Sequence, residues 1–589
     1  MRHGLPAGGV PLADRQGNCL HQCFIMGFRA MFLPFRLSVL LILLLFSAAG
    51  AQVHDPVQLA LMDLLENRSL PSNGETDLRV GEYTVDQWLV ELYAQRDMRP
   101  LWIDENGPGA RASSIASTII ASFDEGLDPD AYHAETISRL WNSDDSSELA
   151  LLDVLLTDGL SSYAADMAQG RTEPCLLDPQ LFASARQTGD NNPLARVLEA
   201  YHADDLDQYL DSLKPSHSAY GLLRDALSEY RKIAAQGGWP AIPDGPSIRR
   251  GMQDPRLPKI RLRLTITGDY GGTDLHSPLY DAELADAVKL FQKRHNLEID
   301  GIIGRNTLAA MNVPVEKRIS QILINMERWR WQPHRLDDRR VYVNIAGFYL
   351  HAMNKEKVEL AMPVIVGEVY HKTPVFSDRI RYIEFNPYWN IPDSIARNEI
   401  LPELIKNPAY LEENNIRIFE GWSENAPELD GSIFNWRDIG RHINRYRFRQ
   451  DPGPDNSLGR MKFVFPNRYS VFLHDTPRRD LFKHDDRAFS HGCIRVSEPL
   501  DFAGYLLAQD DDSWDTERIN KILDEKKRTV VVLKNPMPIH ILYRTAIVDP
   551  ETGIISFFKD VYGRDELLLQ ALYPGGSAKI CQYPPLAPR

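Results

Sequence analysis

At 589 residues the chain is long enough for about three or four domains of ~100–200 residues each. Its 43% hydrophobic and 25% charged content is that of ordinary globular protein, and a net charge of −15 argues against a nucleic-acid binder. Five cysteines are too few for a disulfide framework in a chain of this size.

The first fifty residues read as a targeting segment rather than fold. Arg29 and Arg36 precede the apolar run Leu37–Phe46, and Ala49-Gly50-Ala51 supplies small residues at a cleavage site. The order predicts a signal peptide over residues 1–51, with Met31 an alternative start. The rival reading is an uncleaved inner-membrane anchor, since residues 37–53 form an uncharged run of 17, at the short edge of the ~17–25 needed to span. Either way the bulk of the chain is exported. With Cys19 and Cys23 in that segment, Cys175, Cys493 and Cys581 remain. This odd number leaves one thiol free or paired outside the chain, and Cys175 with Cys581 is the conceivable disulfide.

Residues 52–235 read as helical. Val85, Trp88 and Leu92 recur on one helical face, and Leu149–Tyr163 and Leu222–Ala234 are further helical runs. These stripes are expected in a core. Residues 236–258, rich in Pro, Gly and Arg, read as a linker opening a unit over 236–315. Within it, Leu284, Val288 and Phe291 mark one helix face, Asp300-Gly301 turns the chain, and Gly304 leads into a helix with Leu308 and Met311. Residues 316–339 read as a connecting helix.

From Arg340 the apolar period changes to two. Val341–Ile345, Phe348–His351, Val358–Val366, Ile380–Phe385, Lys462–Phe465 and Ser470–Leu473 alternate as strands, and Thr529–Leu533 is an unbroken apolar run suited to a buried strand. Many short strands point to a β-sandwich or barrel-like unit over residues 340–535. Residues 393–455 interrupt it with helix signals, and so long an insertion is a candidate lid. It ends in Arg437, Arg441, Arg445, Arg447 and Arg449, read either as a solvated face or as a carboxylate-binding patch. Residues 536–589 are expected to form a hairpin, Ile541–Tyr543 against Ile554–Phe558, and a terminal helix packed on the helical region.

The chemistry concentrates at Ser490-His491-Gly492-Cys493-Ile494-Arg495. A thiol becomes a nucleophile as its thiolate, usually with a histidine nearby, and a glycine beside it lets backbone N–H groups converge on one oxygen. His491 lies two positions before Cys493, and His474 lies 19 before it at a predicted strand end. Spacing alone leaves both as candidate bases. No C-x-x-C redox pair, H-E-x-x-H metal motif or phosphate-binding loop is present.

The paired motif, His474-Asp475-Thr476-Pro477 with Ser490–Arg495, resembles that of the YkuD-like L,D-transpeptidases of peptidoglycan cross-linking, above all their large periplasmic members. The resemblance implies a multidomain α+β protein. Its parts would be a mostly-β, sandwich-like catalytic domain with a helical insertion, an all-α scaffold domain and a three-helix peptidoglycan-binding module. That module is carried by Phe291-Gln292-Lys293, Asp300-Gly301 and Gly304–Thr307. The resemblance makes Cys493 the nucleophile and His474 the base. Ser490, His491, Gly492 and Asp475 would then shape the site and its oxyanion hole. Arg495, Tyr388 and Trp389 are the substrate-binding candidates, although many relatives carry Asn where Arg495 stands. It implies acyl transfer from a stem tetrapeptide in the periplasm, without cofactor or metal. Stem peptides and glycan would be the partners, together with transient contacts to other cell-wall synthesis enzymes and none to nucleic acid. An L,D-carboxypeptidase and a non-catalytic wall-binding scaffold are the alternatives.

Overall fold

The computed structural model describes residues 55–66, 78–80, 83–104, 106–181, 192–333, 336–423, 425–511 and 513–573. The expected signal segment and the Cys175–Cys581 pairing fall, wholly or in part, outside them. No helix among the described residues is long and apolar enough to cross a membrane.

The helical region is built round Ser146–Gln169, whose 24 residues are buried on most sides. Asp145 caps it, accepting hydrogen bonds from the N–H groups of Ser147 and Glu148 at 2.9 and 3.0 Å. Helices Ala110–Ala121 and Ser218–Ala235 add Ile115, Ile119, Leu223 and Leu227 to the same core. One expectation fails here: Val85 belongs to a strand, Tyr83–Val85, paired with Leu78–Val80. The helix starts at Gln87 and buries Leu89, Leu92 and Tyr93 instead. The β-branched valine precedes Asp86, which stands at the N-cap and so ends the extended segment.

Residues 236–258 are no free linker. Ile242 and Ile248 are buried with the three helices Leu257–Ile266, Ala282–Arg294 and Arg305–Met311. Trp239 donates its indole N–H to the Val313 carbonyl at 3.0 Å. The segment expected as a connector, Val315–Arg330, is a core element. Ile319, Ile322, Leu323 and Met326 enter the helical core, and Ile324 packs on the terminal helix Arg564–Leu572.

Nine strands form the main sheet among the described residues: β1 Arg339–Asn344, β2 Tyr349–Asn354, β3 Lys357–Gly367, β4 Phe376–Phe385, β5 Met461–Val464, β6 Leu473–His474, β7 Ala488–Ser490, β8 Ile494–Val496 and β9 Thr529–Leu542. Their order is β7-β3-β8-β6-β5-β4-β9-β1-β2, and β2 also pairs with β3, so the sheet closes on itself in barrel-like fashion. Its inner face carries Val343, Leu350, Val364, Ile383, Phe463, Leu473 and Ile494, covered by Phe502, Leu506, Ile519 and Leu523 of two following helices. Thr529–Leu533 departs from expectation. Val530 and Val532 are 41% and 68% exposed, because this end of β9 pairs with β4 alone and leaves one face to solvent.

The insertion has the expected helix over residues 393–406 but is not helical throughout. It builds a four-stranded sheet from Trp389–Asn390, Ile416–Glu420, Glu428–Leu429 and Tyr446–Gln450, with its own core of Ile395, Leu404, Ile418, Trp436 and Phe448. Ile541 lies in β9, so the terminal hairpin is Ala546–Val548 with Ile555–Phe557. It packs into the helical core.

Burial keeps several histidines uncharged: His474 is pushed down to about 3, His351 and His540 to about 4. An unfolded chain binds these protons near pH 6.5, and the native state refuses them until pH 3–4. Native stability is therefore complete above about pH 6.5 and falls as the pH drops below it. Each such histidine costs about 1 kcal/mol per pH unit near pH 5. Denaturant unfolding at pH 7 and pH 5 should show a loss of several kcal/mol, and equal midpoints would mean these side chains protonate in the native state.

Candidate active site

Cys493 sits in the turn between β7 and β8. β7 runs parallel to the end of β3, pairing Ser490 with Gly367, and β8 returns antiparallel along β3. Gly492 occupies φ +106°, a backbone region that side chains rarely adopt, so glycine is needed to reverse the chain here. Two hydroxyls clamp the turn. Ser490 Oγ donates to the Cys493 carbonyl and accepts the Gly492 N–H at 3.2 Å. Thr373 Oγ1 donates to the Gly492 carbonyl at 2.9 Å.

His474 ends β6, which runs parallel to β8 with Leu473 opposite Ile494 and His474 opposite Arg495. Leu473 and Ile494 point into the core, so alternation puts His474, Phe472, Cys493 and Arg495 together on the other face. Sequence spacing could not show this: 19 residues of separation become an offset of two positions between neighbouring strands. His474 Nδ1 lies 2.5 Å from the Asp475 carbonyl oxygen. A carbonyl only accepts, so Nδ1 carries the proton and Nε2 keeps its lone pair. Desolvation, then the nearby Arg495 charge, holds the ring neutral.

The Asp475 carboxylate fixes the neighbouring backbone. It accepts from the N–H of Thr476 at 2.7 Å and of Arg460 at 2.8 Å, and pairs with Arg479 at 2.7 Å. Gly459 approaches it so closely that a Cβ there would stand 2.4 Å from the carboxyl carbon. Burial raises the Cys493 thiol, against which the Phe472 N–H, Lys462 and Arg495 favour the thiolate.

Residues 338–532, which span this whole arrangement, match the family described as L,D-transpeptidase catalytic domain. The chain carries an L,D-transpeptidase catalytic domain. Residues 254–311 match "Putative peptidoglycan binding domain" and residues 87–227 match "Scaffold domain". A Haemophilus influenzae protein named "Putative L,D-transpeptidase" is 33% identical over 251 residues, 42% of this chain. The chain spans about half the length of that relative, 49%. An L,D-transpeptidase structure from Xylanimonas cellulosilytica covers 51% of this chain and 99% of its own at 15% identity and a TM-score of 0.16. A Clostridium acetobutylicum protein titled as a fused Zn-dependent amidase/peptidase with a peptidoglycan-binding domain covers 51% of this chain and 100% of its own at 10% and 0.14.

In the L,D-transpeptidase domain the remaining candidates divide. His491 turns away from His474 toward the insertion, where its Nε2 meets Glu399 at 2.7 Å. Glu368, His371 and His491 bring ligand atoms within 4.8 Å of one another, a spacing that a divalent cation could bridge. Here His371 Nδ1 is engaged by Glu368 at 2.8 Å and His491 by Glu399. Trp389 pairs with Gln450 and packs on the insertion core. Tyr388 carries the Arg449 guanidinium 4.3 Å from its ring centroid. Of the basic run, Arg437 and Arg445 are exposed, while Arg447 is buried 4.5 Å from the Phe419 ring centroid.

Sequence reasoning missed the supports from outside the motif. The Tyr562 hydroxyl donates to the Gly367 carbonyl at 2.5 Å and accepts the Thr373 N–H at 3.2 Å. Arg564, fully buried, pairs with Asp178 at 2.9 Å and reaches the Thr373 carbonyl at 3.5 Å. Breaking such a buried pair typically costs about 3–5 kcal/mol, so the helical region and the tail both bear on the Cys493 turn. Lys462, in register with His474, was also missed. A lone lysine in an alternating strand carries no signal beyond a solvent-facing position.

Proposed function

We propose that the chain is a peptidoglycan L,D-transpeptidase that works through a thioester at Cys493 in the periplasm, after removal of a signal near Ala51. The observation that carries this reading is that, in a matched L,D-transpeptidase domain, β6 runs parallel to β8, so that His474 and Cys493, just before β8, share one face of the sheet. In the first step the Cys493 sulfur attacks the carbonyl at the L-centre of the third stem residue, and His474 Nε2 takes the thiol proton. The oxyanion is met by the N–H groups of His491 and Cys493, since the Gly492 N–H already donates to Ser490. This narrows the expected trio of donors to two, each worth roughly 3–4 kcal/mol in such a site. The C–N bond breaks, His474 returns its proton to the leaving D-alanine amine, and a thioester remains. The amine of a second stem then attacks, and the thiol is regenerated.

Arg495 stands beside the reacting pair and suits a substrate carboxylate. Tyr388 and Trp389 are better explained as parts of the insertion, which reaches the nucleophile turn through Glu399 and His491. Transfer prevails over hydrolysis only if the acceptor amine outcompetes ~55 M water, through effective concentration. The insertion and the wall-binding module suit holding two stems. Incubation with disaccharide-tetrapeptide should give cross-linked dimers by mass spectrometry. Tripeptide monomers alone, with ample acceptor, would make this an L,D-carboxypeptidase, and recovery of unchanged substrate a wall-binding scaffold.

A further inference from the structure

Four polar residues stand in direct register on four neighbouring strands: Glu384 on β4, Lys462 on β5, His474 on β6 and Arg495 on β8. Residues in register on adjacent strands share a face of the sheet. His474 therefore has a cation on each side. The Lys462 ammonium lies 4.1 Å from the ring centroid of Phe472, the residue whose carbonyl accepts the Ile494 N–H and which stands opposite Cys493. The ammonium thus leans along β6 toward the thiol. Its side chain is only 21% exposed. Its carboxylate partner, Glu384, is loosely placed at 3.8 Å and is held more closely by Arg528. On the far side, Arg495 has a buried Nε with no partner among the described residues.

Resting on the reading of Cys493 as nucleophile, we propose that Lys462 is a positioning cation of this site. Its ammonium, with the Arg495 guanidinium, bears part of the negative charge that builds on the Cys493 sulfur as His474 between them, uncharged at rest, takes the thiol proton. The arrangement differs from a thiolate–imidazolium pair, in which the histidine itself would be the counter-ion. Two fixed cations beside an imidazole oppose a third positive charge there and favour an anion two positions away on the neighbouring strand. Other charged groups face the two cations: Arg478 and Glu399 act on Arg495, and Arg528, paired with Glu384, acts on Lys462. Glu399 is engaged by His491, and Arg478 pairs with Asp480 at 3.0 Å. The thiol remains protonated at rest, because burial opposes its ionisation. The cations oppose that effect and lower the pH at which it ionises.

Alkylation by iodoacetamide tests this without peptidoglycan: the thiol proton goes to solvent, the S–C bond forms and iodide leaves. The full-length chain carries C19S, C23S, C175S and C581S, so that only Cys493 reports, and mass spectrometry follows its rate against pH. K462M should move the inflection upward by roughly one pH unit, about tenfold slower below it. K462R should restore most of that loss. E384Q, which frees the ammonium, should move the inflection downward, a sign that a damaged fold does not produce. H474A should leave the inflection in place. An upward shift in H474A with none in K462M would make the imidazolium the counter-ion and overturn the proposal. So would equal shifts in K462M and K462R, or an unmoved inflection in E384Q. The expected pattern in a chain that forms no acyl-enzyme with tetrapeptide would defeat the transpeptidase reading and leave the charge assignment standing.

Discussion

Alanine at Cys493 should abolish both turnover and covalent labelling by a carbapenem, while the thermal midpoint stays within about a degree of the parent. In the proposed reaction the sulfur is the only atom that forms the acyl bond, so its loss should have a total rather than graded effect on acylation. The fold should not notice. Cys493 is partly buried on the outer face, away from Leu473 and Ile494 of the core. Its thiol makes one weak contact, 3.8 Å from the Ser470 carbonyl. What holds the turn is Gly492, the two hydroxyls of Ser490 and Thr373, and the pairing of β7 and β8 with β3. A substitution that touches none of these is usually worth under ~0.5 kcal/mol. A label that persisted in this variant, recovered by mass spectrometry on Cys175 or Cys581, would move the nucleophile.

The motif was legible because its residue types have little other use together. A serine, a glycine and a thiol at fixed offsets describe a clamped turn, and Ser490, Gly492 and Cys493 form one. The longer strands were legible from alternation. What failed was pairing. β6 is two residues long, and its partner in the parallel direction, β8, begins 20 positions after it in sequence. No local pattern announces such a pair, because register is set by the whole sheet. The same holds for Thr529–Leu533, where an apolar run looked buried on both faces but lies where β9 has one neighbour only. Thr373, Tyr562 and Arg564 were invisible for a further reason. Each acts through a backbone carbonyl or N–H of a distant segment, and backbone groups have no sequence identity. The insertion concealed its sheet because its strands are short and separated by irregular turns.

His474→Ala should slow acylation by about 10²–10⁴-fold, the usual worth of a general base, whereas His491→Ala should cost less than about tenfold. The difference follows from where each ring nitrogen points. His474 donates Nδ1–H to the Asp475 carbonyl, which fixes the tautomer, and its ring stands on the face of the sheet that carries Cys493. Burial and the Arg495 charge keep it down at about 3. It is therefore available as a base throughout the neutral range, and between pH 5 and 8 the acylation rate should show no fall on the acid side attributable to this histidine. His491 is more than one-third exposed, and its Nε2 is committed to Glu399 at 2.7 Å. Removing its side chain loosens the insertion but keeps the backbone N–H that would meet the oxyanion. Stopped-flow acylation by a carbapenem, on both folded variants across that pH range, separates the two histidines. A larger loss from His491→Ala in the acylation step would exchange their roles. An acid limb with a midpoint near 6.5 in the parent that vanished in His474→Ala would mean that the imidazole is solvated in the working enzyme, and the neutral, buried base would have to be given up.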